Sequence, residues 1–568
     1  MSGPVRAADT QPDGPDVPAG ASERRSLLGS SAVMAAGTTF SRLSGLIRSL
    51  LLAAALGNLA HADAFSVANT VPNMLYILLA GGVFNAVLVP QLVRAMKNDE
   101  DRGEAYTNRI ITLAVLFLGS VTVLLVIAAP AVVALYTDPD WPPAVTASTI
   151  DLTRYCLPQV FFYGMFVLVG QVLNARGRFG PMMWAPIANN VVSVAVLVLY
   201  LVVFGAATGP AATGGYTSGQ ALLLGLGSTL GIAVQLLVLL PYLREAGFTW
   251  RPRFDFRGTG LGHTLRLGVW TVLFVIVNQA AYTVVVRLAT SGTADGGTGY
   301  TVYSTVFLIV MVPHSVVTVS LATAALPRLS ARAEEGDRQG LAATLSSVMR
   351  TALALIVPFA LLLPVLSDPL ARVLLGWGAA AGTVENYVPT MAVFGPALAA
   401  FTLHYLVLRG FYALEQTRTV FFIQCVVGVV NVAAASLLVA LTDAQATAPS
   451  LAVAYGCAYL AGAAVSFQVL ARRLGGLDGR RLVRYGVRLV LASAVAAAVG
   501  LGARTVVLAV GAGLPDKVQA LAELAAAGLL GVVAYLVVAR VLRLAEVSDV
   551  LDAVGVGRVL RRVPGLRP

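Results

Sequence analysis

Apolar residues in this chain gather into fourteen long runs separated by short polar breaks. The runs cover roughly 28–56, 64–93, 110–136, 152–175, 183–204, 219–242, 264–290, 300–326, 345–367, 389–413, 420–441, 450–471, 485–509 and 518–541. A helix needs about 20 residues to cross the hydrocarbon core of a bilayer, and each run is long enough. Backbone N–H and C=O groups in lipid find no water, so such a run must close its hydrogen bonds internally as a helix. The pattern predicts an all-α polytopic membrane protein with about fourteen transmembrane helices.

Charge placement then orients these spans. With the N-terminus in the cytoplasm, 32 of the 39 Lys and Arg residues fall in cytoplasmic segments. Only Arg372, Arg504 and Lys517 fall on the outside, and Arg42, Arg48, Arg154 and Arg287 lie inside or at the edge of spans. This asymmetry follows the positive-inside rule and puts both termini in the cytoplasm of a cell with a plasma membrane. A chain that is 57% hydrophobic and 12% charged is not an ordinary soluble domain. Its net charge of +11 is spread over short loops and tails, which argues against a nucleic-acid partner and for the anionic inner leaflet. Cys156, Cys425 and Cys457 all lie in apolar spans without metal-ligand spacing and read as small apolar residues. Gly227 and Gly231 form a GxxxG pair suited to close helix packing.

Residues 1–26 lack an apolar run and read as a disordered cytoplasmic tail, with no cleavable signal peptide. At the other end, Val547, Val550, Leu551 and Val554 share a helical face ahead of Arg558, Arg561 and Arg562. Residues 546–568 therefore read as an amphipathic tail on the inner leaflet, or as a plain polar tail.

An internal repeat divides the spans. Val71-Pro72 and Val89-Pro90 in the second span correspond to Val312-Pro313 and Leu326-Pro327 in the eighth, each pair of spans being followed by a charged loop. Pro158 and Asn174-Ala175 correspond in the same way to Pro389 and Tyr412-Ala413. The offset of roughly six spans keeps both copies in one orientation, as in parallel repeats with a site between them. The expected organisation is an N-lobe at 27–242, a C-lobe at 243–475 and two further helices at 476–545.

Polar groups inside the spans mark candidate chemistry. Counted at 1.5 Å per residue from about residue 31, Arg42 lies roughly 16 Å deep and Arg48 roughly 25 Å. An arginine facing lipid at such depth costs several kcal/mol, so the pair is expected to face a polar cavity, with bracing of a helix interface as the alternative. Ser41, Ser44 and Gly45 share the face of Arg48. The second span adds Asn69, Asn73 and Asn85, with Asp63 at its outer mouth; the fifth adds Asn189-Asn190; the seventh adds Asn278, Gln279 and Arg287. His314 and His404 stand alone and are expected to bond between helices. No carboxylate lies clearly mid-span, and Asp368 and Glu385 are expected to be exposed near outer ends. No P-loop, HExxH, catalytic carboxylate pair or Ser-His-Asp set is found, so the class expected is a transporter with no cofactor, not an enzyme.

Ser41-Arg42-Leu43-Ser44-Gly45-Leu46-Ile47-Arg48, Asp63-Ala64-Phe65, Pro72-Asn73, Gly82-Val83-Phe84 and Val89-Pro90 together resemble the MviN/MurJ lipid II flippases. Asn174, Arg178-Phe179 and Ala185-Pro186 to Asn190 extend the resemblance, which covers roughly 28–545. It implies two six-helix lobes around a cationic cavity and a lateral groove made with the last two helices. It also implies flipping of lipid II, the undecaprenyl-pyrophosphate-linked peptidoglycan precursor, alongside the cell-wall synthesis machinery. Ser41, Arg42, Arg48, Asp63, Asn73 and Asn190 match positions where the family carries polar cavity or gate residues. The chain departs from the family at Tyr76 and Leu308, where many members carry arginine, at Met311, where they carry glutamate, and at Ser49, where they carry an acid. Arg287 is the candidate to compensate. The alternatives are an ion-coupled drug or solute exporter of the same superfamily and a non-transporting scaffold for cell-wall synthesis. The driving force, an ion or the membrane potential, is not assigned.

Overall fold

The computed structural model describes residues 37, 40–78, 89–98, 100, 101, 103–255 and 261–553, and these contain helices and turns with no strand. The tail 1–26, Asn85 and the arginines at 558, 561 and 562 lie outside the described residues. The first half runs through α1 (40–56), α2 (Ala60–Leu78), α3 (Val89–Asn98), α4 (Glu104–Ile127), α5 (Ala129–Tyr136), α6 (Pro143–Cys156), α7 (Gln159–Ala175) and α8 (Gly180–Phe204). It finishes with the single turn α9 (Pro210–Thr213), α10 (Ser218–Leu237) and α11 (Leu239–Glu245). The second half comprises α12 (Leu261–Ala294), α13 (Tyr300–Pro313), a π turn at His314–Thr318, α14 (Val319–Glu334), α15 (Arg338–Leu374), α16 (Tyr387–Ala413), α17 (Thr417–Leu441) and α18 (Thr447–Leu474). Last come α19 (Gly479–Val510), α20 (Asp516–Val541) and α21 (Ala545–Ala553).

Several predicted spans are broken rather than continuous. Proline lacks an N–H and clashes with the carbonyl four residues back. Pro158 separates α6 from α7, and Pro313 precedes the π turn between α13 and α14. With such pairs joined, the described residues contain 12 helices long and apolar enough to cross a membrane. The first two predicted spans, 28–56 and 64–93, run partly outside the described residues; the described parts of them are α1, most of α2 and the start of α3. α8 and α17 are each 25 residues long and follow helices that end at Ala175 and Ala413, although those preceding helices differ in length, 17 and 27 residues.

Large apolar side chains point outward along many helices, with Val202, Leu441 and Val510 each more than 70% exposed. Such surfaces suit lipid and would aggregate in water. In lipid, apolar contact alone does not drive helices together, so close packing rests on small residues. On Gly227, a Cβ would come 2.6 Å from Val196, and on Gly231 it would collide with Asn189, so the GxxxG pair seats α10 directly on α8.

The basic residues that break the charge pattern converge in one place. Arg372 on α15 pairs with Asp368 (2.5 Å) and with Glu523 of α20 (3.1 Å). Arg504 on α19 pairs with Glu523 (3.0 Å) and with Asp368. Lys517 donates to the carbonyls of Arg372 (2.6 Å) and Gly376 at the end of α15 and lies 4.3 Å above the Trp377 ring. Glu523 is completely buried. This corrects one expectation: Asp368, expected to be exposed, is a half-buried ion-pair partner, and Glu523 near the start of α20 is a buried acid at the same end. Glu385 is exposed, as expected. Beyond α20, Arg350 binds Glu546 at 2.5 Å, and Val547, expected to face the inner leaflet, is buried against protein.

Candidate functional site

Two connected cavities lie between the halves of the molecule. The larger chamber has a volume of about 690 Å³ and the smaller alcove about 250 Å³. Arg48, Asn73, Tyr300 and Ser304 line both and so mark their junction. The alcove belongs mainly to the first half and is walled by Ser66, Asn69, Gln159, Tyr163, Asn189 and Ser193. The chamber is walled by Arg42, Asn278, Gln279, Gln424 and Asn431 and by a belt of aromatic rings: Tyr282, Tyr303, Phe307, Phe401, Tyr455 and Tyr459. Among the described residues no carboxylate lines either cavity. Both are net positive, and the chamber wall is largely apolar with polar groups set into it.

Helix α1 delivers the two arginines. Six residues separate Arg42 from Arg48, about 9 Å along the axis and a different face of the helix. Arg42 is therefore presented only to the chamber, and Arg48 reaches chamber and alcove together. A fixed rotation of α1 is needed for this, and Asn190 on α8 supplies it. Its side-chain amide donates to the Ser41 carbonyl (3.1 Å) and to the Ser44 hydroxyl (2.8 Å). The structure thus places Ser41 and Asn190 behind the site as a tie between α1 and α8, whereas Asn73 is exposed in the cavity itself.

Asp63 sits at the end of the bundle that the charge pattern assigns to the outside. It is fully buried and joins the two halves. Its carboxylate accepts the first backbone N–H groups of α13, from Tyr300 (2.9 Å) and Thr301 (2.6 Å), and the Thr293 hydroxyl (2.9 Å). A helix N-terminus leaves N–H groups without internal partners and carries partial positive charge, so an acid there is doubly favoured. The acid comes from α2 instead of from the local sequence, because the residue before the helix is Gly299, where a Cβ would collide with Asp63. Further bonds extend this seam: Ser66 with Thr301 (2.9 Å), Thr70 to Tyr300 (2.9 Å), and Asn58 with the carbonyl and hydroxyl of Thr383 (each 2.8 Å).

Arg287 is not brought to the cavity. It is exposed on α12 and donates to the Ala134 carbonyl at 3.3 Å. His314 bonds Thr402 (2.9 Å) and His404 bonds Ser466 (3.2 Å), the interhelical role expected of each. At the positions of family difference, the Tyr76 ring packs at a tilt against Tyr163 with centroids 4.7 Å apart, and Leu308 and Met311 line the chamber as apolar wall. Sequence reasoning missed Gln159, Gln424, Asn431 and the aromatic belt. The available signal was aromatic residues four apart within predicted spans, as in Tyr303-Phe307, Phe401-Tyr405 and Tyr455-Tyr459. Among the described residues no group of three or more His, Cys, Asp or Glu could hold a metal ion.

Comparison with known proteins places this architecture. A relative from Haemophilus influenzae, named "Probable lipid II flippase MurJ", is 26% identical over 398 residues, 67% of this chain and 75% of that protein. One from Burkholderia cenocepacia, named "Lipid II flippase MurJ", is 28% identical over 395 residues, 67% and 72% of the two chains. A solved structure described as "Lipid II flippase MurJ, inward closed conformation" superimposes with a TM-score of 0.69 at 15% identity, covering 90% of this chain and 98% of that one. An inward-facing multidrug transporter of the MATE family reaches 0.61 at 14% identity, covering 77% and 96%, and likewise shows the shared fold. The family model described as "Lipid II flippase MurJ" matches residues 52–515, and the chain belongs to that family.

Proposed function

We propose that this multi-pass membrane protein moves lipid II, an undecaprenyl-pyrophosphate-linked peptidoglycan precursor, from the inner to the outer leaflet of the bacterial plasma membrane by alternating access of two lobes. It is a transporter. The observation that carries the reading is the placement of Arg42 and Arg48 on the walls of a cavity between the lobes, with no carboxylate lining that cavity among the described residues. A lipid-linked diphosphate loses its hydration as its head group crosses, and guanidinium groups replace it with charge-assisted, often bidentate hydrogen bonds. Amide, hydroxyl and aromatic groups around the arginines suit the uncharged sugar and peptide parts, while the lipid tail stays in the bilayer.

In this reading Asp63 is an outer latch. Its bonds to α13, with those of Asn58, Ser66 and Thr70, close the outer end, and their release lets the head group leave. Arg42, Arg48 and Asn73 contact substrate; Ser41 and Asn190 position α1; Arg287 has a peripheral role. Both termini lie in the cytoplasm, anionic inner-leaflet lipids neutralise the basic loops, and an ion gradient or the membrane potential drives the cycle without a bound cofactor. The cell-wall synthesis machinery takes up the flipped precursor. The exporter of the same superfamily shares the fold with this chain, but drug or solute exchange gives no reason for paired guanidiniums facing a cavity without acids.

Depletion and rescue test the proposal, with the precursor measured on each membrane face. Wild-type chain restores outer-face precursor, and the Arg42→Ala, Arg48→Ala double variant leaves it trapped inside at equal expression. Unchanged outer-face precursor in the double variant would sink the reading.

A further inference from the structure

We propose that the second half of the molecule builds a saccharide platform into the chamber wall. Its floor is the rings of Tyr303, Phe307, Phe401, Tyr455 and Tyr459, and its polar edge is the amides of Gln424 and Asn431. The platform holds the uncharged amino-sugar part of the head group while α1 holds the diphosphate; the choice of substrate rests on the flippase reading above. All five rings line the chamber, and they come from three helices, α13, α16 and α18. They form one connected surface. Tyr303 and Phe307 lie nearly parallel with centroids 6.5 Å apart, and Phe307 meets Tyr455 edge-on at 5.6 Å. Tyr455 lies 4.5 Å from Tyr459, which in turn meets Phe401 edge-on at 4.9 Å. Rings that hold one another in place need little ordering when a ligand arrives, so the surface is preorganised. Phe307, Phe401 and Tyr459 are only half-buried, which leaves ring surface free towards the cavity.

The amides come from α17. Gln424, Val427, Gly428 and Asn431 all line the chamber, and their spacing of three, four and seven residues puts them on one face of that helix. The Gln424 amide donates to the Asn278 side-chain oxygen of α12 at 3.1 Å, which fixes both groups. The side-chain oxygen of Asn431 is buried and has no hydrogen-bond partner among the described residues. A buried acceptor without a donor is costly and uncommon. Asn431 lines the chamber, so a ligand there that carries a hydroxyl or amide N–H supplies what the protein does not.

The combination selects among ligand chemistries. An acyl chain suits the rings and gives the amides no partner. A cation meets Arg42 and Arg48 and, among the described residues, no carboxylate on the wall. A pyranose presents a flat C–H face for the rings and a rim of hydroxyl and N-acetyl groups for the amides, the mix of apolar area and few placed polar groups that a specific pocket uses. Arg42 lines the same chamber and Arg48 stands at its junction with the alcove, so a sugar joined to a diphosphate at α1 meets the platform within one cavity. The bound head group then touches both halves of the molecule.

The test uses full-length protein in nanodiscs and three probes: lipid II, the same lipid-linked disaccharide without its peptide, and undecaprenyl pyrophosphate. Tyr459→Leu keeps apolar bulk and loses the flat face. It should weaken binding of both sugar-bearing probes by about threefold to tenfold and leave undecaprenyl pyrophosphate unchanged. Tyr459→Phe retains the ring and should retain most of the affinity. Asn431→Ala should act in the same direction as Tyr459→Leu, and it covers the case in which the leucine variant fails to fold. Equal losses for all three probes would show that these residues only shape the chamber, and a loss confined to lipid II would make them peptide contacts; either result overturns the inference. Wild-type affinity of both variants for every probe overturns it as well. In each of these cases weaker binding of undecaprenyl pyrophosphate by Arg48→Ala leaves the flippase reading standing. If Arg48→Ala changes nothing while Tyr459→Leu weakens only the sugar-bearing probes, the platform is upheld and the diphosphate site is overturned.

Discussion

Arg48 stands where chamber and alcove meet, and on the proposed function it contacts the head group there. Arg48→Ala should reduce flipping by about tenfold or more, since a charge-assisted hydrogen bond contributes roughly 1.5–3 kcal/mol. Arg48→Lys should restore only part, because lysine keeps the charge and loses the planar fork. Initial rates of lipid II translocation in proteoliposomes check both. Asn190→Ala makes a different prediction. It removes the tie to Ser41 and Ser44, so α1 gains rotational freedom and both arginines lose their aim without either being altered. The expected result is weaker pyrophosphate binding with little change in thermal stability, and wild-type affinity would show that α1 is held by packing alone. Arg42 and Arg48 were legible in the sequence because a charge inside an apolar run has few bland explanations. Gln424 and Asn431 were not, because a lone amide in a span has an ordinary interhelical role. The tyrosines were silent for a similar reason: their polar tips matter only when helices distant in sequence turn them towards one space.

Elements show the same division between local and distant information. Run length predicted where helices lie, but not the breaks that the structure makes at Pro158 and after Pro313. What Asp63 does could not be read locally, because the helix it caps begins more than 200 residues later. Asp63→Ala strips the carboxylate from the start of α13 and should leave the outer seam leaky. A cysteine placed at Ser66 should then gain reactivity towards a membrane-impermeant thiol reagent added outside. Equal reactivity in both backgrounds would show that the remaining bonds hold the seam by themselves. The ion cluster joining α15, α19 and α20 carries another expectation. Glu523→Gln leaves Arg372 and Arg504 short of a partner in a buried site, and breaking such a pair costs about 3–5 kcal/mol. Thermal unfolding in detergent should fall clearly for Glu523→Gln, and an unchanged midpoint would mean that Asp368 alone balances both arginines.

For the whole molecule, the orientation drawn from the basic residues is open to direct measurement. Single cysteines at 140, 213, 295 and 446 should react with an impermeant reagent applied outside, and those at 100, 255 and 335 should not. Labelling at 255 from outside would invert the arrangement. The same orientation gives the ion cluster a meaning for biogenesis. In that orientation a nascent chain would carry Arg372, Arg504 and Lys517 across the bilayer against the usual bias. Each travels with an acid near it in the chain: Asp368 one turn before Arg372, Asp516 beside Lys517, and Glu523 in the same hairpin as Arg504. These segments therefore meet the translocation machinery close to electroneutral. The hairpin of α19 and α20 is synthesised after α15, so its arrival completes a charge balance that α15 holds only in part. Glu523 and Arg504 thus join a pairing that Arg372 and Asp368 begin within α15.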